Sequence, residues 1–168
     1  MRWLPLYILA YVVLGLQIGL APYADFRGAP PNLVLVCVIF IALNVPKQPA
    51  LMMCFAIGLV QDMLSGHALG LFAFAYAVAG FFILATREVV YRDHPLTHFS
   101  MTFVSGLLVA CVQLLHGWVR LNAEQRLPAS MLLTGALYTA VLAPFLLIPL
   151  QRMRRVFSLM PVRRVQRM

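Results

Sequence analysis

The sequence predicts an all-α integral membrane protein with six transmembrane helices. Hydrophobic residues make up 62% of its 168 residues and charged residues only 11%, whereas a soluble domain is about 25% charged. Six apolar runs approach the length of about 20 residues that a helix needs to cross a hydrocarbon core. A soluble fold of this size cannot bury so much apolar surface, so we expect lipid to cover much of it.

The ends of the six predicted helices are marked by prolines and capping residues. The first run follows Arg2, is long for a signal-peptide core and has no clear cleavage site after it, so we interpret it as a retained span. Pro31 and Asn32 open the second run, and Asn32 is expected to cap that helix. Pro144 and Pro149 are expected to bend the sixth run. The predicted spans are residues 3–21, 32–45, 50–64, 68–86, 97–119 and 129–151.

The second and third runs are short, with about 14 and 15 residues, and are separated by the turn Pro46-Lys47-Gln48-Pro49. Two short spans require either local thinning of the bilayer or shielding by neighbouring helices. The alternative is a re-entrant hairpin, which would place the Lys47 ammonium near the midplane at a cost of about 3 kcal/mol. We therefore predict two true spans, with Lys47 at an interface.

The basic residues predict the orientation of the chain. With the N-terminus inside, ten Lys and Arg residues lie on the inner side and three on the outer side, which accounts for all 13. This bias predicts that both termini are cytoplasmic. Residues 1–151 then form the transmembrane domain and residues 152–168 a basic cytoplasmic tail. The predicted basic inner surface comprises Arg87, Arg92, Arg152, Arg154 and Arg155.

The net charge of +8 does not indicate nucleic-acid binding, because the charges lie at the ends of apolar runs and in the tail. We interpret the arginines of the tail as a stop-transfer cluster. The alternative is that the tail lies on anionic lipid headgroups.

Small residues form a stripe on the fourth run. Their steps of four, three, four and three place all of them on one face of a helix, and Gly15 and Gly19 repeat the spacing on the first run. Small residues let helices approach closely in lipid. We favour packing within the chain, and the alternative is a groove for the transmembrane helix of a partner. The stripe consists of Gly66, Gly70, Ala73, Ala77 and Gly80.

Asp62 is the one acidic residue near the apolar part of a predicted span. An acid inside a membrane is a functional candidate by default. Asp62 and its neighbour Gln61 lie close to the outer end of the third run, however, where Ser65 and Gly66 begin the next turn. We favour a structural role, in which Asp62 accepts hydrogen bonds from that turn, which includes the start of the fourth helix, and joins the third and fourth helices. A direct contact with a partner is the alternative.

Catalytic and metal-binding patterns find little support. The sequence contains no GxSxG, HExxH, P-loop or GxGxxG motif. His94 and His98 have a metal-ligand spacing, but Pro95 lies between them, so we interpret them as part of a solvated loop. Polar residues are scattered at one or two per run, which is too few to line a water-filled pathway. We therefore expect a protein that is not an enzyme and that binds no metal or cofactor.

Residues 30–80 resemble the bacterial rod shape-determining protein MreD family. The chain length, the six runs and the basic tail agree with that family, although Asn32 stands where the family usually has an acid, so a capping role survives there better than a charge-dependent one. The resemblance rests on Pro31-Asn32-Leu33, on Gly58-Leu59-Val60-Gln61-Asp62 followed by Ser65-Gly66, and on Leu69-Gly70 with Tyr76 and Gly80.

The resemblance implies a scaffold and regulator of the elongation machinery, which inserts peptidoglycan along the side wall, in the bacterial cytoplasmic (inner) membrane. It implies an MreC-like single-span partner, with MreB filaments and RodA with a class B penicillin-binding protein as further partners. It also implies a helical arrangement similar to the substrate-binding component of energy-coupling-factor transporters. The alternative function is a small-molecule-binding subunit of such a transporter, with a pocket that draws on Gln61, Asp62, Tyr76 and Gln113.

Overall fold

A computed structural model describes residues 4–20, 23, 31–66, 68–87, 95–120 and 128–152. Within these ranges the chain forms six helices, one for each predicted run, which confirms the all-helical class. Predictions about Arg92, His94, Arg154 and Arg155 fall outside the described residues. The helices are α1 (Leu4–Leu20), α2 (Leu33–Asn44), α3 (Lys47–Ser65), α4 (Leu71–Thr86), α5 (Pro95–Arg120) and α6 (Ala129–Arg152).

The start of α3 differs from the prediction. The helix begins at Lys47 rather than at residue 50, and Pro46 is its N-cap residue. Pro49, expected in the connection between two helices, lies in the first turn of α3. Proline is tolerated there because the first N–H groups of a helix have no partner within the helix. As a result α3 has 19 residues and is longer than the predicted run.

Helix α2 lies at the centre of the fold. All residues from Val34 to Leu43 are buried, and the helix packs against α1, α3, α4, α5 and α6. Its 12 residues extend only about 18 Å at a rise of about 1.5 Å per residue. Of the two explanations for a short second run, the packing therefore supports shielding by neighbouring helices.

Close contact between α3 and α4 depends on glycine. A Cβ atom built on Gly58 would lie 2.5 Å from the Cα atom of Ala73 and 2.5 Å from the carbonyl oxygen of Phe72. Farther along α4, a Cβ atom on Gly80 would lie 3.0 Å from Cys54 Sγ. Ala73 and Gly80 thus face α3 of the same chain, which agrees with the favoured interpretation of the small residues as internal packing.

The long helices α5 and α6 pack on each other at a second small contact, where a Cβ atom on Gly106 would lie 3.0 Å from the Cβ atom of Ala136. By length and composition alone, these two helices are each long and apolar enough to cross a membrane. Helices α1, α2 and α4 contain shorter apolar segments.

Large apolar side chains cover much of the outside of the helices. Tyr11 on α1 is 80% exposed, and Phe74, Trp118 and Phe145 on other helices are also exposed. Soluble monomers rarely expose apolar surface on this scale. The distribution agrees with a protein that has lipid around it.

We predict that Gly58→Ala destabilises the fold by about 1–3 kcal/mol or more, because the added methyl group meets backbone atoms that cannot move independently. The matched control is Gly15→Ala, since a Cβ atom there meets no atom of the described residues within 4 Å. Thermal unfolding of both variants in detergent measures the difference. Equal melting temperatures for the two variants would show that α3 and α4 are not in close contact.

Candidate functional site

Asp62 caps the start of α4 from the last turns of α3. Its side chain is buried, with 1% of its surface exposed. Oδ2 accepts hydrogen bonds from the N–H groups of Gly70 at 2.9 Å and Ala73 at 3.1 Å, and Oδ1 accepts one from Phe72 at 2.9 Å. A helix N-terminus leaves such donors unpaired and carries partial positive charge. The geometry therefore fits the favoured structural role, with the donors at the start of the fourth helix and not at Ser65 or Gly66.

The remaining donors at this helix start are also paired. The N–H group of Leu71 donates to the carbonyl oxygen of Ala68 at 3.1 Å, and that of Phe74 donates to the carbonyl oxygen of Gly70 at 2.9 Å. Every N–H group from residue 70 to residue 74 thus has an acceptor. Gly70, the N-cap residue of α4, has no side chain that could cap the helix. The Asp62 carboxylate and the carbonyl oxygens of the turn accept the hydrogen bonds instead.

The prediction that five small residues share one face of the fourth helix is wrong for Gly66 and Gly70. Gly66 ends α3 with φ 65°, and Gly70 precedes α4 with φ 96°. Both residues adopt left-handed backbone conformations that glycine reaches without strain. They shape the turn between the helices, and only Ala73, Ala77 and Gly80 belong to α4.

A second set of hydrogen bonds surrounds the start of α2. Asn32 Oδ1 accepts a hydrogen bond from the N–H group of Leu35 at 3.0 Å, so the predicted N-cap is present. The hydroxyl of Tyr76 lies 3.0 Å from the same oxygen and 2.7 Å from Gln61 Oε1, so these two acceptors share its one hydrogen. Tyr76 is fully buried. One hydroxyl therefore connects α4 to both α2 and α3.

Side chains of α1 and α6 also form hydrogen bonds with the residues at the start of α2. Gln17 Nε2 donates to the carbonyl oxygen of Pro31 at 3.0 Å, and Gln17 Oε1 accepts from the N–H group of Leu33 at 2.6 Å. Thr139 Oγ1 accepts from the N–H group of Asn32 at 2.9 Å. We name the five side chains that form these hydrogen bonds, which come from α1, the N-cap of α2, α3, α4 and α6, the Asn32 network. Its members are Gln17, Asn32, Gln61, Tyr76 and Thr139.

The polar residues that we interpret from the sequence as scattered among the runs include Gln17 and Thr139, and that interpretation does not group them with Asn32. A usable signal is depth along each helix. Under the predicted orientation, each member of the Asn32 network lies in the outer half of its run, one residue in each of five runs. Polar side chains at a common depth on neighbouring helices are suited to bond with one another.

Arg87 is a cap and not part of a basic surface, which corrects the prediction for this residue. It follows α4 and is 4% exposed. Its Nη1 atom donates to the carbonyl oxygens of Ala42 at 3.0 Å and Val45 at 2.7 Å. The last carbonyl groups of α2 need donors, and the negative end of a helix favours a cation. Arg152, at the end of α6, is exposed.

His98 is also placed differently from the expectation of a solvated loop. It lies inside α5 and is buried. Among the described residues, no three His, Cys, Asp or Glu side chains form a group that could hold a metal ion. The described network consists of neutral amide and hydroxyl groups, which are suited to holding helices together.

These features define a class of protein: an all-helical unit with apolar outer faces, whose buried amide, hydroxyl and charged side chains join its helices. The chain belongs to the MreD family, because the family described as rod shape-determining protein MreD matches residues 1–153. The rod shape-determining protein MreD of Haemophilus influenzae is 24% identical over 153 residues, which cover 90% of this chain and 93% of that protein. No solved structure matches the chain significantly.

Membership confirms the resemblance of residues 30–80 and extends it over most of the chain. It gives the chain a role in rod-shape determination. The family is one of membrane proteins and is not a known family of enzymes.

We predict that Asp62→Ala lowers the free energy of unfolding by roughly 3 kcal/mol or more, because each buried N–H group left unpaired costs about 1–3 kcal/mol. Asp62→Asn retains one acceptor oxygen, so its loss should be intermediate. Ser65→Ala, an exposed position on the same helix, is the control. Thermal unfolding in detergent gives the order of the variants, and a wild-type melting temperature for Asp62→Ala would contradict the capping role.

We predict that Arg87→Met destabilises the protein by about 1–3 kcal/mol, because the two carbonyl oxygens at the end of α2 lose their donor. Arg152→Met is the matched control on an exposed arginine and should stay within about 0.5 kcal/mol of wild type. The same melting assay compares them. Equal stability of the two variants would mean that Arg87 does not cap α2 and behaves as a surface residue.

Proposed function

We propose that this chain is a non-enzymatic membrane scaffold that regulates cell shape and side-wall peptidoglycan synthesis by receiving the transmembrane helix of a partner. The proposal refines the role in rod-shape determination that comes with the family. One observation carries it: the carboxylate of Asp62, the guanidinium of Arg87 and the Asn32 network all bond to groups inside the fold. What the described helices offer to other molecules is therefore mainly apolar helix surface.

The proposed setting is the bacterial inner membrane, which the chain crosses six times with both termini in the cytoplasm. The excess of basic residues on one side supports this orientation. Two of the arginines on that side are Arg87, which directly follows α4, and Arg152, which is the last residue of α6. Helix α2 is shorter than the other helices. Because it is buried among them, its length does not need to match the thickness of the bilayer.

The hydrogen bonds weigh against the alternative of a small-molecule-binding transporter subunit. That function needs several polar groups that converge on a ligand. Gln61 and Tyr76 bond to each other, and Asp62 bonds to the backbone of α4. Three of the four residues considered for such a pocket are thus engaged within the fold.

Helix α1 is the better candidate for the partner contact than the stripe on α4. Ala73 is fully buried, and Gly58 of α3 packs against it. Gly15 and Gly19 are exposed on α1, and a Cβ atom on either residue meets no atom of the described chain within 4 Å. Helix α1 packs chiefly on α2. We therefore propose that an MreC-like transmembrane helix docks along Gly15 and Gly19, where close approach is possible.

MreB filaments, and RodA with a class B penicillin-binding protein, are proposed as further partners of the assembled complex. Membrane lipid covers the remaining apolar faces. Arg152 is exposed at the end of α6, on the proposed inner side, and we propose that it contributes to cytoplasmic or lipid contacts.

We predict that Gly15→Leu and Gly19→Leu each reduce recovery of the partner about tenfold, which corresponds to about 1.4 kcal/mol of binding free energy. The assay is affinity purification of the tagged chain in mild detergent, with mass spectrometry of the proteins that co-purify. The matched control is Ala56→Leu, at an exposed small residue on α3.

All three leucine variants should melt with the wild type, because none of the substituted positions is buried. Unchanged recovery of a single-span periplasmic protein with both glycine variants would reject the contact on α1. Recovery of ATPase subunits or a bound small molecule, in place of wall-synthesis proteins, would reject the scaffold and support the transporter alternative.

A further inference from the structure

A separate row of buried polar side chains lies on α5. His98, Thr102 and Ser105 are buried, and their steps of four and three place them on one face of the helix. Thr102 and Ser105 are both fully buried, and neither Thr102 Oγ1 nor Ser105 Oγ has a hydrogen-bond partner in the described part of the chain. Buried hydroxyl groups without partners are rare in folded proteins, and each one calls for an explanation.

Other threonines in this protein pair their hydroxyl groups within their own helix. The hydroxyls of Thr86, Thr134 and Thr139 each donate to the carbonyl oxygen of the residue four positions earlier. Such bonds are the usual local solution for a threonine inside a helix. Thr102 departs from that pattern, and Ser105, one turn farther along, has no partner either. The two hydroxyls therefore lie next to each other and require something that can both donate and accept.

The packing of α5 shows on which side these hydroxyls lie. Gly106, four residues after Thr102 and on the same face, lies close to Ala136 of α6. Met101, four residues before Ser105 and on the same face, lies against α4, where Thr86 Oγ1 is 3.9 Å from its Sδ atom. Thr102 thus lies towards the α6 side of α5 and Ser105 towards the α4 side, so the face that carries both hydroxyls lies between the contacts of α5 with α4 and with α6.

We propose that Thr102 and Ser105 hold a buried water molecule on the side of α5 that lies between α4 and α6. Water donates two hydrogen bonds and accepts two, so one molecule satisfies both hydroxyls and bonds to a backbone carbonyl as well. Buried waters in proteins occupy such polar sites and typically make about three hydrogen bonds. This inference does not rest on the proposed scaffold function, and neither Thr102 nor Ser105 belongs to the Asn32 network.

X-ray footprinting of the purified full-length protein in detergent tests the proposal. Short X-ray pulses generate hydroxyl radicals from water where it is bound, and the radicals oxidise nearby side chains, methionine sulfur readily among them. Met101 is the reporter, with 6% of its surface exposed, and Met53 in α3 is the matched control, with 4% exposed. Mass spectrometry measures the oxidation of both in one sample.

We expect severalfold more oxidation at Met101 than at Met53. The double variant Thr102→Val with Ser105→Ala should reduce oxidation at Met101 to the level at Met53, and it should lower the melting temperature because the water loses its partners. Thr102→Ser keeps a hydroxyl and should retain the oxidation, which gives a readout even if the double variant folds poorly.

Two outcomes would overturn the proposal. Equal oxidation of Met101 and Met53 in the wild type would mean that the hydroxyls bond back to carbonyl oxygens of α5 and that no water is present. A melting temperature that rises in the double variant would mean that the hydroxyls are unpaired in the native protein.

Discussion

The fold depends on the three hydrogen bonds that join the Asp62 carboxylate to the first turn of α4. A buried carboxylate needs donors, and a helix N-terminus needs acceptors, so each supplies what the other lacks. Because Ala73 is one of the donors, these bonds also fix the height at which α4 lies on α3. At that height Gly58 packs on the backbone of Ala73, and Tyr76 reaches Gln61 and Asn32.

A positively charged side chain has the corresponding role at the C-terminus of a helix. Arg87 binds carbonyl oxygens at the end of α2, while Asn32 caps the start of the same helix. Four N–H and four C=O groups at the ends of any α-helix lack partners within it. In a helix of 12 residues these groups are a large share of the backbone, so a short buried helix depends strongly on residues from other elements.

Features set by neighbours in the sequence were predictable, and features set by distant residues were not. The six helices follow from apolar run length, and the Asn32 cap follows from its position three residues before Leu35. The bond from Tyr76 to Asn32 spans 44 residues and that from Arg87 to Ala42 spans 45, and one sequence does not reveal such pairs. Gly66 and Gly70 were misplaced because a four-residue step fits a turn as well as a helix face.

The Asp62 cap also has a consequence for how the chain is made. During synthesis α3 leaves the ribosome before α4, and until α4 begins, the Asp62 carboxylate lacks its three backbone donors. An unpaired carboxylate is costly in hydrocarbon. For a chain that inserts into a bilayer as proposed, pairing α3 with α4 removes this cost, which favours insertion of the two as a helical hairpin over insertion of α3 alone.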